Sequence, residues 1–344
     1  MKHGELNVRK DLLMYAKHAR NNGGLVAGQV EVTSACFQQC GSCDSWREDI
    51  RDRHVMSLET LKALCEELDD IPSFETLAIT GGDPQAWPPL TEFLAWFVAR
   101  EFAWSLRINT ALTQPLTDTD AALWCDAFDE VRVSLDHHDP VEYQRIRGDD
   151  ATVPSVVATR IRSLVAFNVN VSVLCVVTRD GVRMGAMSEW VDHHCGGIRK
   201  LTFLPATGHR FKTDDWRWYT DQVRVVNDYQ WAFTMSFDDN VPDVRAWTHT
   251  DDGRAARCHA GTISFHIKPN GDWFPCCLTG GEALRTQAEF RMGNINVSTI
   301  RHIMATWHPQ KFYDNDALPC RDICQYKQAC INKAASDVVV LSMP

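Results

Sequence analysis

The chain has 344 residues, a formal net charge of −10 and no long basic run, which argues against an extensive nucleic-acid footprint held by bulk electrostatics. Its 44% hydrophobic and 23% charged residues are enough to bury a large core, and the length suits one large domain and a smaller one. No apolar run approaches the about 20 residues of a spanning helix, and the N-terminus has no apolar stretch of signal-peptide length, so no membrane partner and a cytoplasmic location are expected.

Residues 1–28 read as an N-terminal extension, with a short helix over 11–18 closed by Gly23-Gly24. Residues 28–33 alternate as a strand and run into a cysteine-bearing loop. Ser57 is a candidate N-cap, followed by Leu58, Leu61, Leu64 and Leu68 at helical spacing. A strand over 74–80 ends at Gly81-Gly82. After it come a helix over 90–100, a strand over 104–109, a helix over 120–128 and a strand over 130–135. A helix over 153–167, a strand over 169–177, a helix over 186–194 and a strand over 199–204 complete about six strand–helix units. This alternation predicts an α/β fold, a partial (β/α)6 TIM-like barrel over 29–212 with chemistry at the C-terminal strand ends. A doubly wound open sheet would give the same periodicity. Residues 213–257 mix tryptophans with aspartates and arginines and read as a connecting segment. The range 258–344 carries a second concentration of cysteines and is expected to form a small C-terminal iron–sulfur domain.

Thirteen cysteines in a chain expected to stay in a reducing compartment point to metal binding or catalysis rather than disulfides. Cys36, Cys40 and Cys43 stand as C-x3-C-x2-C on the loop after the first strand. Three thiolates on a four-iron cubane leave one iron open to an outside ligand. This spacing resembles the cysteine motif of the radical SAM superfamily, whose open iron takes the amino and carboxylate groups of S-adenosylmethionine (SAM). In that family an aromatic residue usually precedes the third cysteine. Ser42 stands there in this chain, so adenine stacking is expected from elsewhere, with Trp46 the candidate.

Other strand ends extend the resemblance. Gly81, Gly82 and Asp83, followed by Pro84, resemble the family's GGEP motif, which holds the methionine amino group; Asp83 replaces the usual glutamate. Asn109 partly matches the relatives' Thr-Asn-Gly. Ser134, in Ser134-Leu135-Asp136, resembles the family's ribose-contacting serine. One of Arg145 and Arg147 is implied to hold the methionine carboxylate, where a guanidinium fork suits a bidentate contact.

The cysteines toward the C-terminus resemble a SPASM domain or its shortened twitch form. Cys258, Gly271 and Cys276 fit C-x12-G-x4-C, whereas Cys320, Cys324 and Cys330 depart from the family spacing, and no cysteine follows. Too few thiols remain for two fully ligated auxiliary clusters, so one auxiliary 4Fe–4S cluster is expected on Cys258, Cys276 and members of the later set. A structural zinc site on the same residues is the alternative. Cys65, Cys125 and Cys175 read as buried small hydrophobes, Cys195 is ambiguous, and His137 and His138 are candidates to line the site.

The resemblance implies reductive SAM cleavage to a 5′-deoxyadenosyl radical and hydrogen abstraction from a substrate, with flavodoxin or ferredoxin as electron donor. It leaves the isomerase and oxidoreductase classes open. The substrate is expected to be a small molecule or modified nucleoside, including an amino-acid-modified thymidine of phage DNA. Peptide maturation is a further reading, weakened by the short stretch before Cys36. A non-catalytic iron–sulfur electron-transfer protein is the rival from another class.

Overall fold

Strand alternation with a period of two sorts the side chains onto two faces of one sheet. Along β1 (Ala27–Glu31), Val30 is fully buried against the helices while Gln29 and Glu31 turn to the other face. The pattern repeats in β2 (Thr76–Thr80), β3 (Ser105–Thr110), β4 (Glu130–Ser134), β5 (Val171–Val177) and β6 (Lys200–Pro205). Leu77, Ile79, Leu106, Ile108, Val131, Val133, Val173 and Leu201 occupy the helix-covered face. Arg107, Asn109, Arg132, Ser134, Ser172, Lys200 and Thr202 occupy the concave face. The computed structural model describes residues 25–41, 43, 54–148, 152–205, 213–237, 264–275 and 290–307, excluding the side chains of 205, 213–217, 220 and 237.

The covering helices follow from apolar spacing and local caps. In α1 (Leu58–Asp69), Ser57 accepts the Thr60 N–H, and Leu61, Leu64, Cys65 and Leu68 are buried. α2 (Leu90–Arg100) buries Leu90, Phe93, Leu94 and Phe97. α3 (Asp118–Ala127) starts with a reciprocal capping box between Thr117 and Asp120. α4 (Pro140–Arg147) has Pro140 at its first turn and Asp139 accepting from the Val141 and Glu142 N–H groups. α5 (Pro154–Ala166) and α6 (Met184–His194) cover β4 to β6.

The six expected strand–helix units are present, and the strands from β1 to β6 pair in parallel as a partial TIM-like barrel. Two expectations change. Residues 213–257 are not simply a connector: α7 (Thr213–Asn227) and β7 (Thr234–Phe237) continue the alternation, and β7 pairs in parallel with β6. The apolar face of α7 is Tyr219 and Val226, with Trp218 and Val223 packed beside them, and the surrounding charge hides that period in the sequence. Trp231 stacks on Phe233 at 6.0 Å and donates its Nε1–H to the Val226 carbonyl, so it packs rather than offering a free face.

The C-terminal part also joins the barrel. β8 (Ser264–Ile267) pairs in parallel with the open edge of β1, and β9 (Asp272–Phe274) and β10 (Gly293–Asn294) add antiparallel strands. The sheet order is β10-β9-β8-β1-β2-β3-β4-β5-β6-β7. Gly271 turns the β8–β9 hairpin at φ 85, where a Cβ would stand 2.3 Å from Asn296 Nδ2. α8 (Ile300–Thr306) packs on α1, and Glu67 accepts the Ile300 N–H at 2.6 Å. Among the described residues no helix is long and apolar enough to cross a membrane.

Candidate active site at the C-terminal strand ends

The cysteine loop leaves β1 and is tied at both ends. Thr33 bridges Val55, the Met56 N–H reaches the Val32 carbonyl at 2.9 Å, and the Trp87 Nε1–H caps the Met56 carbonyl at 2.8 Å. The Gly81-Gly82-Asp83 turn at the end of β2 lies directly beneath. The Gly82 N–H donates to the Thr33 carbonyl at 2.7 Å and the Asp83 N–H to the Ala35 carbonyl at 2.8 Å. A Cβ on Gly82 would lie 2.2 Å from the Ala35 carbonyl oxygen, and one on Gly81 2.4 Å from that of Thr33. Glycine is required here because two backbones touch.

Asp83 is 1% exposed and its carboxylate is already engaged. Oδ1 accepts from the Gln85 N–H at 3.1 Å and the Thr110 hydroxyl at 2.8 Å, and Oδ2 from the Ala111 N–H at 3.2 Å. Burial raises its pKa against these bonds and the Arg147 charge. The side chain therefore clasps β2 to β3. Asn109, near the end of β3, is half-buried on the concave face, and its Oδ1 is shielded from solvent without a hydrogen-bond partner. Ser134 ends β4 on the same face.

Helix α4 carries both candidate arginines, in different settings. Arg145 is exposed and pairs with Glu142 at 2.7 Å. Arg147 is buried beneath the cysteine loop, with Nε 2.7 Å from Asp136 Oδ2 and Nη1 donating to Gln38 Oε1 at 3.2 Å and Cys40 Sγ at 3.7 Å. Burial opposes its charge, but Asp136, Tyr143 and Cys40 outweigh that and raise its pKa.

The three thiols fit a cationic iron centre. Burial pushes Cys36 up to about 12 against the Gln38 N–H, and the charges of Asp83, Cys40 and Cys43 push the same way. Burial also raises Cys40 against the Arg147 charge, with Asp136 and Cys43 adding to it. Thiols that oppose one another's ionisation become thiolates when a cation arrives. Among the described residues no three His, Cys, Asp or Glu side chains gather around a single ion. A four-iron cubane would not need that, because each thiolate would bind a separate iron.

The concave face below the loop is polar, and three of its groups, Glu31, His266 and Lys268, were not anticipated from the sequence. Glu31 Oε1 accepts from His266 Nε2 at 2.9 Å and from Lys268 Nζ at 2.8 Å. Burial works to raise Glu31, but the His266 hydrogen bond and the His266 and Lys268 charges bring it down to about 2. His266 is buried, and its Nδ1 has no hydrogen-bond partner. Nothing in the local sequence marks His266, because its site is made by the long-range pairing of β8 with β1. At the opposite, N-terminal end of the strands, Glu130 sits among Arg132 at 2.8 Å, Ser172 at 2.6 Å, Lys200 at 3.4 Å and Arg107 at 3.7 Å.

His137 and His138 follow β4, with rings stacked at 4.9 Å, and burial lowers the pKa of both. Cys65, Cys175 and Cys195 are buried and Cys125 is half-buried. Ser42, Trp46, Cys258, Cys276, Cys320, Cys324 and Cys330 lie outside the described residues.

Residues 30–182 match the family model of the radical SAM superfamily, and residues 258–330 match the SPASM model, an iron–sulfur cluster-binding domain. No curated protein matches the chain. Among solved structures, SuiB of Streptococcus suis bound to its precursor peptide SuiA is similar at a TM-score of 0.65 and 15% identity, over 90% of this chain and 69% of that one. SuiB bound to S-adenosylmethionine is similar at 0.63 and 14%, over 90% and 68%. Native anSMEcpe with bound AdoMet and Cp18Cys peptide is similar at 0.59 and 15%, over 84% and 82%. At these identities the likeness speaks for the fold. The chain carries a radical SAM domain over residues 30–182, for which the cofactors are a 4Fe–4S cluster and SAM, and a SPASM-type iron–sulfur domain over residues 258–330.

Proposed function

We propose that this chain is a cytoplasmic radical SAM enzyme that abstracts hydrogen from a polar substrate seated in the concave face of the barrel. The observation that carries this reading is the stacking of three thiols, a two-glycine strap and a polar concave face at one end of the strands. Loaded with its cluster and SAM, the site would supply a 5′-deoxyadenosyl radical.

The chain's own residues then divide the work. Cys36, Cys40 and Cys43 hold three irons. Gly81 and Gly82 let backbone approach the methionine end, with Asp83 fixing the turn from below. Asn109 offers its unpartnered Oδ1 and Ser134 its hydroxyl to the cofactor. Exposed Arg145 remains the candidate for the methionine carboxylate, because Arg147 is committed beneath the loop. Glu31 orients His266 and Lys268 toward the substrate, leaving His266 Nδ1 as a hydrogen-bonding group. Cys258 and Cys276, with the others drawn from Cys320, Cys324 and Cys330, are the proposed ligands of one auxiliary cluster, and a flavodoxin or ferredoxin is the proposed electron donor. The charged concave face suits a polar small molecule, a nucleoside or a peptide segment, and the isomerase and oxidoreductase classes both follow from hydrogen abstraction. SuiB and anSMEcpe, both solved with peptides, support testing peptides alongside small molecules.

Anaerobically reconstituted protein given dithionite and SAM is expected to release 5′-deoxyadenosine. Cys40→Ala is expected to abolish that release while keeping the auxiliary iron. Intact clusters with no 5′-deoxyadenosine would overturn the enzyme reading and favour electron transfer.

A further inference from the structure

Among the described residues Arg147 is placed against one sulfur, that of Cys40, and its surroundings are built to keep it there. The two N–H groups flanking Cys40, those of Gln39 and Gly41, donate to the carbonyls of Arg147 and Ile146, each at 3.0 Å. The end of α4 and the cysteine loop therefore move as one piece. Gly148 permits this approach: its φ is 95, and a Cβ there would stand 3.0 Å from the Gln39 Cβ. Asp136 holds the guanidinium by Nε, and Asp136 is itself fixed to β5 by the Val176 N–H at 2.8 Å. Gln38 completes the frame, accepting from Arg147 Nη1 while its Nε2–H reaches the Tyr143 hydroxyl at 3.3 Å. The guanidinium lies 6.0 Å from the Tyr143 ring centroid.

Cys36 is treated differently: among the described residues its sulfur accepts a neutral backbone N–H, from Gln38 at 3.4 Å. A buried full charge is weakly screened and acts strongly over a few ångströms. Hydrogen bonds and positive charge at a cluster sulfur favour the reduced, more negative state.

We propose that Arg147 is a positioning residue that sets the reduction potential of the cluster on Cys36, Cys40 and Cys43 through its charged N–H···S bond to Cys40, with Asp136 as the graded counter-charge. The inference rests on those cysteines being cluster ligands. The step it tunes is uptake of one electron from an outside donor, and the Arg147 proton stays in place.

The test is a redox titration of anaerobically reconstituted holoprotein, with dithionite and mediator dyes, followed by electron paramagnetic resonance. The signal of interest is the one that Cys40→Ala removes. Arg147→Gln is expected to make reduction at least tenfold less favourable, a shift of about 59 mV for one electron. Asp136→Asn, which removes the negative charge, is expected to move the potential the opposite way. Lost packing alone would not give opposite signs for the two partners. Because Arg147→Gln strands a buried carboxylate, the double variant Arg147→Gln/Asp136→Asn serves where the single variant does not fold. Its potential is also expected below wild type, since the bond to sulfur is gone. Variants that take up iron and titrate within twofold of wild type, or shift in the same direction for both partners, overturn the proposal. A wild-type protein with no iron on the loop overturns the ligand reading instead.

Discussion

Gly82→Ala is expected to dismantle the cysteine loop, and the contact that does it can be measured. The new Cβ would stand 2.2 Å from the Ala35 carbonyl oxygen, 2.5 Å from its carbon and 2.7 Å from the Ser34 oxygen, all of them backbone atoms. Ordinary contact begins near 3.4 Å, so the strap and the loop must part by more than 1 Å. The hydrogen bonds from the Gly82 and Asp83 N–H groups cross that same gap and would be lost with it. Losing either bond leaves its buried groups unpaired, at a cost of roughly 1–3 kcal/mol for each bond. The total is about 2–6 kcal/mol, delivered one residue before Cys36. Gly41→Ala is the internal control, because among the described residues, its chain neighbours aside, no atom lies within 4 Å of a Cβ there. Thermal unfolding, iron per chain and the cluster's magnetic resonance signal would be compared for both. Gly82→Ala is expected to melt several degrees lower and to lose the loop's iron, while Gly41→Ala keeps both. Equal behaviour of the two variants would refute the close-contact argument.

Asp83→Glu, which restores the family's usual residue, is expected to destabilise by about 1–3 kcal/mol, measured by urea unfolding, because the extra methylene has no room in a fully hydrogen-bonded pocket. Ile161→Ala on α5 empties a fully buried position and is expected to cost about 2–5 kcal/mol in the same assay. Glu31 and Glu130 are each lowered from 4.5 to about 2, so the stability they confer is present above pH 4.5 and is lost as pH falls toward 2. That loss is about 3 kcal/mol per group, and the acid slope of urea unfolding for Glu31→Gln or Glu130→Gln apoprotein is expected to be correspondingly shallower.

The features that sequence reasoning reached are those written in local chemistry. Ser57 and the leucines after it mark α1, and Gly81-Gly82 after an apolar run marks a place where backbones touch. The cysteine spacing could be read without any contact map. Asp83 is different: its departure from glutamate was visible, but not that Thr110 and Ala111 consume its carboxylate. α7 was obscured because tryptophans and aspartates share its length, so composition overrode period. His266 was invisible for a stronger reason. Among the described residues its ring is anchored by a carboxylate 235 residues away, and no window along the chain contains both.

That separation also has a meaning in time. β1 gains its second neighbour only when β8 has been made, and Lys268 is 237 residues beyond Glu31. At about 5–20 residues per second, a ribosome needs roughly 12–47 s to cover that distance. Throughout that interval the first strand of the barrel has at least one unpaired edge, the kind of surface on which chains join to one another. The inward carboxylate of Glu31 is then a guard for the nascent chain before it becomes a fixture of the finished one.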